Sequence, residues 1–185
     1  MKKGLLITLG VIVAVLVLIV LPIISSYNGL VSMQTNVEGK QAAIQTQLQR
    51  RADLIPNFVA TVKGYTGYAQ STLTAVTEAR ASVGQAKTAA EQSAASEQLD
   101  KAISVWVNAV TEAYPDLKAN TQYTALQDEL AGTENRIAVA RNDYNTAAQQ
   151  YNTAIRRFPK NLIAGIFGFE KADYFQAASG TEQAP

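Results

Sequence analysis

The stretch Thr121–Pro159, TQYTALQDELAGTENRIAVARNDYNTAAQQYNTAIRRFP, decides the fold. Alternating steps of three and four residues from Tyr123 meet Leu126, Leu130, Thr133, Ile137, Ala140, Tyr144, Ala147, Tyr151, Ala154 and Phe158. Only Thr133 interrupts an apolar or aromatic stripe, so the stretch predicts one long helix with a single buried seam. At 1.5 Å per residue such a helix is about 55 Å long. A seam of that length needs partner helices of similar length. It carries no chemistry of its own.

Working outward, Asp116–Asn120 reads as a connector after the break at Tyr114-Pro115, with Asn120 or Thr121 capping the long helix. Before the break, Leu99, Ile103, Trp106, Val110 and Ala113 make a shorter helical pattern. Gly84–Ser96, polar and rich in Ala, reads as a loop with frayed helical ends. Val59, Val62, Tyr65, Ala69, Leu73, Val76, Ala79 and Val83 form a further pattern, weakened at Gly64 and Gly67. Another starts at Tyr27 with Leu30, Gln34, Val37, Gln41, Ile44, Leu48, Arg51 and Ile55. Pro56, which lacks a donor, is expected to end or kink that helix. Four helices joined by short connections imply an all-α, up-down-up-down antiparallel bundle.

Leu5–Ile24 is an apolar run of about 20 residues, long enough to cross a bilayer core, with Leu5, Leu16, Leu21 and Ile24 among its spanning positions. A cleaved signal peptide is the alternative, but the run is long for one and no Ala-x-Ala-like site follows Ile24-Ser25-Ser26. Lys2 and Lys3, set against a charge-free exit as far as Glu38, put the amino terminus in the cytoplasm and the body outside. The expected domains are a cytoplasmic stub and anchor over 1–26, a helical bundle over 27–158, and a membrane-proximal segment with a disordered tail over 159–185.

If the first bundle helix rises from the membrane, the fourth descends towards it. Taking Tyr27 opposite Phe158 sets a register that puts Gln34 beside Tyr151, Gln41 beside Tyr144 and Arg51 beside Glu134. In that register the glutamines offer partners to buried tyrosine hydroxyls. The same geometry brings Arg156, Arg157, Phe158 and Lys160 near the headgroups. Leu162–Phe169 is too short to span.

A net charge of +1 gives no electrostatic case for nucleic acid. The absence of both Cys and His excludes disulfides, thiol chemistry, histidine acid–base work and ordinary zinc sites. Asp116 is isolated, Asp128 and Glu129 face differently on a helix, and no glycine-rich phosphate loop occurs. The reading is of a non-enzyme without a cofactor, a metal or an evident small-molecule substrate.

Several ordered motifs then stand together: Tyr27-Asn28-Gly29-Leu30-Val31, Arg50–Asn57, Val62-Lys63-Gly64-Tyr65, Glu78-Ala79-Arg80, Tyr114–Asn120, Glu134-Asn135-Arg136-Ile137 and Arg156–Pro159. Ile163–Phe169 and Tyr174-Phe175 follow. Over residues 27–176 the chain resembles the LemA family of bacterial membrane-anchored helical proteins. The resemblance implies one amino-terminal membrane helix, a bundle of long helices and no established enzymatic activity. Descriptions of the family often place the short amino terminus outside, opposite to the charge argument, and associate some relatives with shaping membranes. The chain departs at Gln41, where the family usually has Trp, and at Tyr68-Ala69-Gln70, where many members carry acidic residues or His.

Two clusters are candidate sites. Arg50, Arg51, Asp53 and Asn57 read either as a partner-recognition site at a membrane-distal tip or as a turn tied by Arg51 and Asp53 with Asn57 capping the next helix. Arg156, Arg157, Phe158, Lys160, Phe167, Phe169 and Lys171 mix basic and aromatic residues as an interfacial segment does. The plain alternative is that this segment folds back over the end of the core. The expected partners are the lipid bilayer and either further copies of the chain or another membrane protein. The function so read is an envelope scaffold, with a membrane-shaping or envelope-stress component, or an accessory subunit of an envelope enzyme, as the alternatives.

Overall fold

A computed structural model of the chain describes residues 2–66 and 71–175. Its elements are α1 (Lys2–Thr66), α2 (Ser71–Gln85), α3 (Ala89–Ala113), a 3-10 turn at Pro115–Ala119, α4 (Thr121–Ala154) and α5 (Lys160–Phe167). Among the described residues there is no strand, and the all-α expectation holds. The stripe that opens the sequence reading is buried along α4 at Tyr123, Leu130, Thr133, Ile137, Tyr144, Ala147, Tyr151 and Ala154. Thr133 enters the core because its hydroxyl donates to the Leu130 carbonyl at 2.7 Å. Asn120 caps α4 by accepting from the backbone N–H groups of Gln122 and Tyr123 at 3.0 and 3.1 Å.

Two expectations need correction. Of the end or kink expected at Pro56, the end does not occur: α1 runs on to Thr66. A proline inside a helix costs about 3 kcal/mol. Pro56 is itself exposed, while Ile55, Phe58 and Val62 around it are buried to 5% exposure or less. Each such burial is worth about 1.5–3 kcal/mol, so the continued seam outweighs the lost hydrogen bond. The Gly84–Ser96 loop is also mostly helix, because α3 starts at Ala89. Its signal is the capping box Thr88-x-x-Glu91. The Thr88 hydroxyl accepts from Glu91 N–H at 3.2 Å, and the Glu91 carboxylate accepts from the Thr88 and Lys87 N–H groups at 3.0 and 2.8 Å. These backbone donors hold the Glu91 carboxyl below its ordinary pKa, so this support is present at neutral pH and lost as pH falls through the carboxylate range. Thr88→Ala is expected to cost about 1 kcal/mol, read as a lower urea midpoint by circular dichroism. Positions 67–70, where the expected third segment continues, and the tail 176–185, expected to be disordered, lie outside the described residues.

The chain forms two compact units, one of Met1–Glu38 with Thr146–Ala172, the other of Gly39–Asn145 with Asp173–Pro185. The second is the four-helix bundle. Gln41 and Gln45 donate to the carbonyls of Lys87 and Val83, so α2 runs antiparallel to α1. Gln92 donates to Gln45 at 2.9 Å while Phe58 meets Trp106, so α3 runs parallel to α1. Lys40 pairs with Asp143 and Phe58 stacks on Tyr123, so α4 returns antiparallel. The topology is up-down-up-down, as expected. Arg51 pairs with Glu134, as the sequence register requires. The tyrosine partners differ: Gln41 binds the Lys87 carbonyl, and the Tyr144 hydroxyl donates instead to the Asp173 carbonyl at 2.8 Å. Phe175 covers the Tyr144 ring edge-on at 5.0 Å, and Asn145 clamps the Phe175 backbone through both of its side-chain atoms at 2.9 Å.

The first unit contains the apolar part of α1, the end of α4 and α5. Its core joins Leu30, Ala154, Ile163 and Ala164, with Met33, Ile155 and Phe169 packed against them.

Candidate membrane-interface site

Within the first unit, α1 carries large apolar side chains that stay open: Leu16 is 54% exposed, Leu21 60% and Ile24 50%. Leu5 lies in α1, though its side chain is outside the described residues. α1 is the one helix among the described residues that is long and apolar enough to cross a membrane, and its apolar window is unburied. Thirteen large apolar side chains between Leu9 and Ile24 are exposed in this way; left in water they would be costly, and a bilayer removes that cost.

The α4 helix ends earlier than the sequence pattern suggests. It stops at Ala154, and Arg156 and Arg157 close tighter turns onto the carbonyls of Thr153 and Ala154. Phe158-Pro159, joined by a cis peptide, leads into α5. α5 stops at Gly168, whose φ of 71° is the left-handed region that favours glycine. The N–H groups of Gly168 and Phe169 both return to the Ala164 carbonyl, closing the helix end.

The two sides of α5 differ. Ile163 and Ala164 are buried in the unit's core. Tyr27 packs on Phe167 at 4.8 Å and on Phe169 at 5.7 Å. Tyr27 therefore does not face Phe158, as the register assumed; Phe158 is 80% exposed. Leu162 and Ile166, four apart on α5, form an open apolar face, and Phe158 just before the helix is open as well. Arg156, Arg157 and Lys171 are exposed in the same unit, and Lys160 is half-buried with its ammonium over Gly29. Beyond α5 the chain is pinned where Asn152 exchanges two 2.8 Å hydrogen bonds with the backbone of Ala172. Burial, and then the charges of Glu38 and Glu170, raise the Tyr151 hydroxyl above its ordinary pKa, so it stays neutral at physiological pH.

The basic and aromatic residues expected here are thus divided. Phe169 is half-buried, whereas Phe158 stays open and Phe167, though it packs on Tyr27, is still 54% exposed. Leu162 and Ile166 are open as well and were not singled out by sequence reading. Their four-residue spacing from each other was the available signal.

The second cluster lies in the bundle unit, and it is not at a helix end. Arg50–Asn57 sits inside α1, so Asn57 caps nothing. Arg51 is buried between the carboxylates of Asp100 and Glu134. Arg50 pairs at the surface with Glu129 at 3.0 Å, and Asp53 accepts from Gln49 at 2.9 Å. Arg50, Asp53 and Asn57 border a shallow groove with Gln45, Thr46, Gln49 and Leu54.

Burial pushes the Asp100 carboxyl up to about 6, with the Glu134 charge adding to the shift and Arg51 and Arg141 opposing it. A proton is then held more tightly in the folded than in the unfolded chain. Stability therefore falls as pH rises from about 4 to 6 and levels off above. Asp100→Asn is expected to flatten this profile in urea titrations. Because the side chain is 31% exposed, the gain at pH 8 is discounted to about 1 kcal/mol, with none near pH 4.

The fold and the site together define a membrane-associated helical protein. Residues 40–185 match the LemA family, and the chain belongs to that family. It is similar to magnetosome proteins MamQ 1 and MamQ 2 of Paramagnetospirillum magneticum, each 27% identical over 175 residues. That match covers 81% of this chain, which spans 64% of the length of those two relatives. It is also 24% identical over 192 residues to magnetosome protein MamQ of Magnetospirillum gryphiswaldense, covering 90% of this chain and 71% of the relative.

Proposed function

We propose that the protein is a non-enzymatic scaffold of the bacterial envelope, anchored by the apolar part of α1 and bound to the bilayer a second time through α5. The observation that carries this reading is the open apolar set Leu162 and Ile166 on α5 with Phe158 just before it, in the same unit as the anchor and the exposed Arg156, Arg157 and Lys171. An apolar face edged by basic side chains suits the headgroup boundary. Membership of the LemA family and the likeness to magnetosome proteins support work at a membrane. Lys2 and Lys3 favour a cytoplasmic amino terminus. The groove beside Arg50, Asp53 and Asn57 is the surface for a further copy or a protein partner.

The chain has no Cys, so single-cysteine variants carry a nitroxide without background. In reconstituted bilayers, labels at Leu162→Cys and Ile166→Cys are expected to collide more with oxygen than with a water-soluble nickel chelate. A label at Val139→Cys, an exposed bundle position, is expected to do the reverse. Equal water access at all three positions would reject the second membrane contact.

A further inference from the structure

We infer that a groove in the first unit is a headgroup site for an anionic phospholipid, with Arg157 and Lys160 holding its phosphodiester. The inference rests on the membrane contact proposed for α5 and names the ligand it recruits. The groove, about 530 Å³, is formed where α1 and the end of α4 meet the turn into α5. Arg157 and Lys160 supply two cations, and no carboxylate lines it. Among the described residues neither cation has an ion-pair partner. The Lys160 ammonium reaches the α1 backbone at Gly29, lying 3.7 Å from where a Cβ would stand, an ordinary contact distance. Ser26, Gln149, Gln150 and Thr153 add hydrogen-bonding groups suited to a glycerol headgroup.

Depth argues for a lipid as the source of the phosphate. Ser26 lies two residues past Ile24, the end of the apolar run, which is about 3 Å along the helix. A lipid phosphate occupies that level when the run fills the hydrocarbon core. Phe158 and Pro159 line the same groove and offer apolar surface beside the charges, as a glycerol backbone and the start of an acyl chain require. A planar guanidinium and an ammonium together match the phosphodiester oxygens.

The test uses the full chain in neutral detergent, with bound lipids counted by native mass spectrometry. Phosphatidylglycerol is expected to be retained over phosphatidylcholine by about tenfold, as two basic groups at an anionic surface imply. The pair Arg157→Gln and Lys160→Gln is expected to bring the ratio to about one, and the charge-keeping pair Arg157→Lys and Lys160→Arg to preserve most of it. Lys101→Gln, an exposed position in the other unit, should leave the ratio unchanged. No preference in the native chain, or a preference that survives the double Gln variant, overturns the site. Displacement of the lipid by millimolar inorganic phosphate makes it a free-anion site and overturns the lipid assignment. The nitroxide depth profile is independent of these ratios. A lipid-facing α5 with no phosphatidylglycerol preference sinks the headgroup site alone, while a water-facing α5 sinks the membrane contact beneath it.

Discussion

Phe58→Ala is expected to destabilise the protein by about 3–5 kcal/mol, the largest effect of any single truncation proposed for this chain. Phe58 is 1% exposed and sits where three helices of the bundle unit meet. Its ring lies 5.1 Å from Trp106 of α3 in an edge-on arrangement and 5.1 Å from Tyr123 of α4. Tyr123 is itself fixed, since its hydroxyl meets Thr111 at 2.9 Å and receives Gln127 at 3.2 Å. Tyr123 cannot swing into the space that Ala would leave without breaking those contacts, so much of the cavity persists and its cost is felt. Trp106 is the only tryptophan, so its fluorescence reports on this cluster alone. The expected record is a red-shifted native emission and a lower urea midpoint, with Phe58→Leu intermediate. A midpoint shift worth less than about 1 kcal/mol would mean that the three rings do not form one packed unit.

Phe58 also shows where sequence reading succeeds and where it stops. The α4 stripe was legible because eleven positions repeat one spacing, and its Asn120 cap was legible because capping depends on one side chain and the next backbone N–H groups. The Arg51–Glu134 pair was legible because an antiparallel register, once chosen, leaves no freedom. Pro56 misled because its penalty is local, whereas the burial of Ile55, Phe58 and Val62 that outweighs it is tertiary. The helical start at Ala89 was readable from Thr88 and Glu91, but the high polar content of the segment hid the capping box.

The candidate site was legible in composition and not in orientation. Basic and aromatic residues after Ala154 are plain in the sequence. Which of them stay open depends on the early end of α4 and on Phe169 turning in against Tyr27 and the unit's core. The return of the chain to Tyr144 through Phe175 could not be read either, because a backbone carbonyl, which every residue has, satisfies the tyrosine. Gln41 at its seam position pointed to the wrong partner for that reason.

Arg51→Ala is the second large effect expected. Arg51 is 6% exposed and faces Asp100 of α3 and Glu134 of α4. One cation between two carboxylates leaves the cluster short of positive charge, and Arg141 supplies only part of the remainder to Asp100. Removing a buried partner typically costs about 3–5 kcal/mol; because Glu134 is 43% exposed, the expected cost here is about 2–4 kcal/mol near pH 7.5. The sign with pH separates charge from packing. Without Arg51, Asp100 loses the attraction that lowers its pKa, so its proton is held more tightly still in the folded chain. The deficit of the variant should therefore shrink as pH falls from 7.5 towards 5, where protonated Asp100 no longer needs a cation. A lost methylene stem costs the same at every pH. Combining Arg51→Met with Asp100→Asn and Glu134→Gln is expected to recover most of the stability at pH 7.5, since no buried charge then lacks a partner. A pH-independent deficit, left unrepaired by the triple variant, would assign Arg51 to packing and leave its chance alignment with Glu134 as the only trace of the register.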